Sequence, residues 1–369
     1  MKIRDFQLER YFARYEFSAK YLLSPSDCES RSVGELLEIG GKDARARFDS
    51  LWLGYTESRG HPDLLSMLDA EYGTGTEGLL CGCPEELIFL FMNAFLTPGD
   101  GVVCVAPAYQ SLYELPRAIG CPLSLWNLKA EKGRWLPDMG ELERLLQKQG
   151  TRLLVLNFPH NPTGWMPSEQ EFETIVSLAE KYGVTIFSDE MYRGLEDEAV
   201  ALPTLAKTPN AVALGGASKS LGLPGLRMGW LASQNHGIVG SVLSMKDYTT
   251  ICNSAPGEFL AILALKNKSV LLERNREILR RNSALCDRFF KRHQDVFEWI
   301  APVGGPTAFP LLLRGNVAEM SRRAVEERSL MILPGTVFDT EENRFRIGMG
   351  RENFPQTLEV FEDFLKSWI

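Results

Sequence analysis

The sequence predicts an α/β protein built on a mostly parallel sheet, followed by a smaller α+β domain. Two observations carry this prediction. Short apolar runs recur between residues 101 and 233, and a stretch with helical spacing lies between two of them. Strand, helix and strand in alternation is the pattern of a parallel sheet covered by helices. Later in the 369-residue chain the character changes, to one long helical stretch followed by short strand-like runs.

In chain order, "MKIRDFQLER" has no apolar core of a secretory signal. The run "LIFLFMNAFL" (87–96) is too short to cross a bilayer and reads as a buried helix. "GVVCVAP" (101–107), "TRLLVLNFP" (151–159), "VTIFSDE" (184–190), "AVALGG" (211–216) and "RMGWLAS" (227–233) read as strands. "EQEFETIVSLAEKYG" (169–183) carries apolar residues at helical spacing and ends in glycine. Residues 255–300 read as one long helical region with a basic face, and "FPLLL", "LMILPG" and "RFRIGMG" as pieces of the smaller domain. The division expected is an N-terminal segment (1–45) joining the small domain, a large domain (46–245) and a small C-terminal domain (246–369).

Composition bounds the function. With 44% hydrophobic and 24% charged residues the chain is that of an ordinary soluble globular protein. A net charge of −8 argues against a general nucleic-acid binder, which needs concentrated Lys and Arg. The seven cysteines, an odd number, form no disulfide framework, and Cys81–x–Cys83 has no second pair at zinc spacing. The expected address is the cytoplasm.

The chemistry centres on "GGASKSLGLPGLRMGW" (215–230), which sets Lys219 among small and apolar residues, with Arg227 eight positions on. Lost hydration disfavours an ammonium, and a neutral amine can attack an aldehyde. The alternative is a lysine whose stem packs on the fold while its head reaches water. A phosphate-binding P-loop is a poor fit, because Ser218 stands where that motif needs glycine. "SDEMY" (188–192) puts Asp189 at a strand end with Tyr192 three residues on. Such a carboxylate could hold a protonated ring nitrogen, or simply cap a helix. "NFPHNPTG" (157–164) offers Asn161 in a turn; "LLCGCPEELIF" (79–89) runs from a small-residue turn at Gly82–Cys83 into a helix start, where backbone N–H groups can cradle phosphate. Tyr109, in "APAYQSLY" (106–113), could lie on a planar ring or serve the core.

Taken in order, the chain has Tyr-x-x-x-x-Gly, a glycine turn into a helix, P-x-Y, N-P-T-G, D-x-x-Y, S-K, an arginine eight beyond the lysine, and R-x-R-I near the C-terminus. From about residue 30 onward this series resembles the fold-type I pyridoxal-phosphate enzymes of aminotransferase class I/II. The resemblance implies a three-layer sandwich with a mostly parallel sheet, and pyridoxal 5'-phosphate as cofactor. Lys219 would hold the cofactor aldehyde as a Schiff base and then shuttle the substrate's α-proton. Asp189 would keep the ring nitrogen protonated, Asn161 and Tyr192 would hold the ring oxygen, and Tyr109 would stack on the ring. Arg227, the Gly82–Cys83 turn and Ser218 would bind the phosphate. Tyr55 would reach the phosphate of a neighbouring subunit, which makes the expected unit a homodimer. Arg346 would clamp the substrate carboxylate, beside Asn161.

The pattern is departed from in three places. Gly216 stands where many members have a hydroxyl residue three before the lysine. Pro84, without an N–H, follows the phosphate turn. "YLLSPSDCES" (21–30) lacks the usual glycine-rich stretch and should cover the pocket differently. A narrower likeness, in "NFPHNPTG", "SKSLGLPGLRMGW", "KDYTT" and "GGPTAFP", is to a branch of the family that performs elimination and cyclisation on a specialised, hydroxylated amino acid. The expected function is therefore transamination between an L-amino acid and a 2-oxo acid, with elimination, replacement or cyclisation as the alternative. A ligand-sensing DNA regulator is disfavoured, because no basic helix-turn-helix precedes the main pattern.

Overall fold

The computed structural model describes residues 2–368. Its centre is a seven-stranded sheet: β1 (Leu79–Gly82), β2 (Gly101–Ala106), β3 (Leu123–Asn127), β4 (Thr151–Asn157), β5 (Thr185–Asp189), β6 (Ala211–Gly216) and β7 (Gly229–Ala232). The spatial order is β1-β7-β6-β5-β4-β2-β3. Neighbours from β6 across to β3 are parallel, whereas β7 lies antiparallel between β1 and β6.

The central strands read as unbroken apolar runs because both faces of the sheet are covered. Alternate residues go to opposite sides. Val103, Val105, Leu154, Leu156 and Ile186 pack with Phe172, Ile175 and Ala179 of the helix at Glu169–Lys181. Val102, Cys104, Leu153, Val155 and Phe187 pack with Leu87, Ile88, Leu90 and Phe91 of the helix at Pro84–Phe95. The helix at 169–181 starts on a reciprocal cap, in which Ser168 Oγ accepts from Glu171 N and Glu171 Oε2 accepts from Ser168 N.

Beyond the sheet, residues 255–300 are not one helical region. They form helices at Ala255–Lys266 and Lys268–Arg292, broken at Asn267, whose amide turns back to donate to Leu263 O. Asparagine competes for backbone groups in this way at helix ends. Leu79–Gly82, which leads into the turn expected at Gly82–Cys83, is strand β1 and was not read as one, and β3 also lacked a visible signature. Both lie at the sheet's edges.

A three-stranded antiparallel sheet, β8 (Thr307–Ala308), β10 (Phe345–Gly348) and β9 (Leu333–Pro334) in that order, packs with the helix Phe354–Trp368 around Phe289, Phe297, Phe345 and Phe361. The N-terminal residues join these late elements. Tyr21–Leu22 pairs in parallel with Leu330–Met331, and the Tyr11 hydroxyl, on helix α1 (Gln7–Tyr15), donates to Ile332 O.

Candidate active site

Parallel strands deliver their carboxyl ends to one edge of a sheet, and the loops leaving that edge build the site. Here β1 ends at Gly82, β2 leads to Tyr109, β4 to Asn161, β5 ends at Asp189, and β6 leads to Ser218 and Lys219. Antiparallel β7 starts at the same edge, so Arg227, two residues before it, arrives there as well. Gly229 pairs with Gly82 on one side and Gly216 on the other.

A cavity of about 450 Å³ opens at this edge, lined by Tyr109, Asn161, Asp189, Tyr192, Ser218, Lys219, Arg227 and Arg346. Cys83 adjoins it: its Sγ is 3.2 Å from Arg227 Nη2, at the start of the helix Pro84–Phe95. Arg227 takes a left-handed backbone (φ 52°) just before the strand. Gly82 closes β1 behind this turn. Tyr55 is the exception. It is 87% exposed and does not line the cavity of its own chain.

The site's electrostatics follow from burial. Asp189 is 7% exposed, and burial pushes its carboxyl up to about 6, although Met191 N donates to it and Lys219 lies near. Arg346, on β10, is 1% exposed; its Nε donates to Ser24 O and its Nη1 to Asn161 Oδ1, each at 3.0 Å. Burial lowers its pKa, and Phe12 and Phe338 lie on its guanidinium at 5.7 and 5.6 Å. No carboxylate of the described residues pairs with it, so a buried cation faces the cavity without an anion. The bond to Arg346 uses the Asn161 carbonyl oxygen and leaves its amide N–H groups free to donate. Ser218 Oγ is buried with no partner.

Several contributors carried no sequence signal. Lys219 Nζ donates to Ser26 Oγ at 3.0 Å, so the stretch 21–30 reaches the amine itself. Glu9, Phe12 and Glu16 face the cavity from α1 and just beyond it, and Tyr109 donates its hydroxyl to Glu9 at 3.0 Å. Burial, then nearby Asp27, raises the Glu16 pKa; Arg351 is paired with Asp27 at 2.7 Å. Glu85, in the first turn of the helix Pro84–Phe95, is pushed up to about 7 by burial. The place of the missing hydroxyl at Gly216 is taken by Met191, whose Cε would lie 2.8 Å from an added Cβ.

These residues fit pyridoxal phosphate on their own chemistry. The unpartnered Ser218 hydroxyl and Arg227 suit a phosphate, the buried Asp189 suits a cationic ring nitrogen, and the amine of Lys219 lies in the same cavity.

Comparison with known proteins agrees. Capreomycidine synthase from Streptomyces vinaceus is 29% identical over 351 residues, covering 94% of this chain and 88% of that protein. Aspartate aminotransferase from Thermotoga maritima is 28% identical over 291 residues, covering 78% and 74%. Among solved structures, a PLP-dependent aminotransferase from Streptococcus suis superposes with a TM-score of 0.93 at 28% identity, covering 100% of this chain and 99% of that one. The PLP-dependent cyclase OrfR does so with 0.90 at 25% identity and the same coverage. The family described as aminotransferase class I and II matches residues 38–359, and the chain belongs to that pyridoxal-phosphate-dependent family.

Proposed function

We propose that this protein is a transaminase that moves an amino group between an L-amino acid and a 2-oxo acid. The observation that carries the reading is the pair formed by a free amine, Lys219, and a buried, anion-less guanidinium, Arg346, in one cavity. When bound, pyridoxal phosphate supplies an aldehyde for amines and a ring that draws electrons from the substrate α-carbon. With the cofactor in place, Lys219 would hold its aldehyde and, when free, would take the proton from the α-carbon. Asp189 would hold a proton on the ring nitrogen. Asn161 and Tyr192 would orient the ring, and Tyr109 would cover it. Arg227, Ser218 and the Gly82–Cys83 turn would hold the phosphate, aided by the partner subunit through Tyr55 in a homodimer. Arg346 clamps the α-carboxylate with two parallel N–H donors, a geometry lysine cannot supply.

The wall formed by Glu9, Glu16 and Asp27 against one arginine, Arg351, favours a donor with a cationic side chain over aspartate or glutamate. A second reading, elimination or cyclisation on the same cofactor, is supported by the likeness to capreomycidine synthase and OrfR across nearly the whole chain. The unpaired cysteines suit a cytoplasmic address, which cell fractionation tests.

Following consumption of the amino donor without an added acceptor separates the two reactions. A transaminase stops after one equivalent per site, whereas an eliminating or cyclising enzyme continues. Lys219→Ala should abolish both, and turnover persisting in that variant would end the proposal.

A further inference from the structure

We propose that Ser26 is a positioning residue for the proton-transferring amine, holding Lys219 against the substrate α-carbon whenever that amine is free. This rests on the role of Lys219 given above, and the test below separates the two.

Ser26 Oγ accepts from Lys219 Nζ at 3.0 Å, and the residue is 7% exposed on the cavity wall. Its rigidity comes from the strip around it. Leu23 O accepts from Gly348 N, Ser24 O accepts from Arg346 Nε, and Ser24 Oγ donates to Arg346 O. Asp27 pairs with Arg351, and Glu29 N donates to Gly350 O. The strip sits so close to the "RIGMG" segment that a Cβ on Gly348 would lie 1.7 Å from Pro25 O, and one on Gly350 2.3 Å from Asp27 O. Only glycine admits that approach. One strip therefore holds both the carboxylate anchor and the amine, which fixes the distance between them.

A lysine amine rides on four flexible methylenes, and proton transfer needs it within about 3–3.5 Å of its target. The neutral amine takes the α-proton while the electron pair left on carbon is drawn into the cofactor ring. The resulting ammonium has three N–H groups, and one donates to Ser26 Oγ, which holds the charge where it forms. The proton is then handed on, and the neutral amine is restored. While the cofactor aldehyde occupies Lys219, Ser26 has no such duty.

Ser26→Ala should leave the resting absorbance and the cofactor dissociation constant near wild type. It should slow exchange of the substrate α-proton with deuterated water by about 10- to 100-fold, the range for a hydrogen bond to a charged group. The loss should fall on kcat more than on KM. In the cofactor-free protein, acylation of Lys219 by an amine-selective reagent, read by mass spectrometry, should quicken several-fold in Ser26→Ala, because the amine is no longer tethered. Ser26→Thr, which keeps the hydroxyl, should restore both values. Unchanged acylation in Ser26→Ala, or unchanged α-proton exchange, would overturn the proposal. If Lys219→Ala itself still exchanges the α-proton, the assigned role of Lys219 fails instead, whatever Ser26 does.

Discussion

Without cofactor at neutral pH, Asp189→Asn should be more stable than the native protein; with cofactor it should be the poorer enzyme. The Asp189 carboxyl is pushed from 3.8 to about 6, chiefly by burial. At 1.36 kcal/mol per pH unit, ionising it inside the cofactor-free fold costs about 3 kcal/mol. The folded state holds this proton to higher pH than the unfolded state does. Stability from this group is therefore complete below pH 3.8 and is lost as pH rises through about 6. Asparagine keeps an oxygen for Met191 N and has no such slope. Its buried amide donors cost about 1 kcal/mol at every pH, so the pH dependence is the signature rather than the absolute value. Unfolding entropy of about 2.1 cal/mol/K per residue converts 3 kcal/mol into roughly 4 °C for a chain of this length. Thermal unfolding of both cofactor-free proteins at pH 4, 6 and 8 reads the difference. His160 titrates in both and cancels, whereas Glu85, which the Asp189 charge helps to raise, should titrate somewhat lower in the variant. With cofactor the variant loses the carboxylate partner of the ring nitrogen, and turnover should fall by about 10- to 100-fold, the range for a hydrogen bond to a charged group. Parallel pH profiles for the two apoproteins, or native turnover in the variant, would refute the reasoning.

Gly216→Ser should destabilise the protein by about 1–3 kcal/mol by crowding Met191. Adding Met191→Ala should restore the melting temperature and tighten cofactor retention, since it frees the place of a phosphate-facing hydroxyl; a neutral single variant contradicts this. Trp52 and Tyr55 are 81% and 87% exposed, as residues that a second copy would cover in the proposed homodimer. Analytical ultracentrifugation should find a dimer, and Tyr55→Ala should loosen cofactor without unfolding the chain; an active monomer would refute both. Among amino donors at equal concentration, those with an ammonium or guanidinium side chain should exceed aspartate in kcat/KM, and Glu16→Gln should narrow that gap.

The structure brought ten of the eleven residues singled out in the sequence to one sheet edge, with Tyr55 left outside its own chain's cavity. Tyr109, Asn161, Asp189, Ser218 and Lys219 were legible because they end or follow strands whose apolar runs are plain, and Lys219, Asp189 and Arg346 because they are charges in apolar company. The helix break at Asn267 was not legible, since one asparagine among helix-forming residues leaves the periodicity intact.

What the linear chain settled by itself was the alternation of buried strands and helices, and with it the order in which polar residues reach the carboxyl edge. Hydrophobic periodicity is a local property, so it can be read from neighbours in the chain. Only the tertiary structure decided that Ser26 holds Lys219, that Phe12 and Phe338 face Arg346, that Met191 fills the space at Gly216, and that three N-terminal carboxylates face the pocket. Apart from Phe338 and Arg346, those contacts join residues 25 to more than 300 positions apart. They arise from close packing of distant segments, which no local spacing encodes.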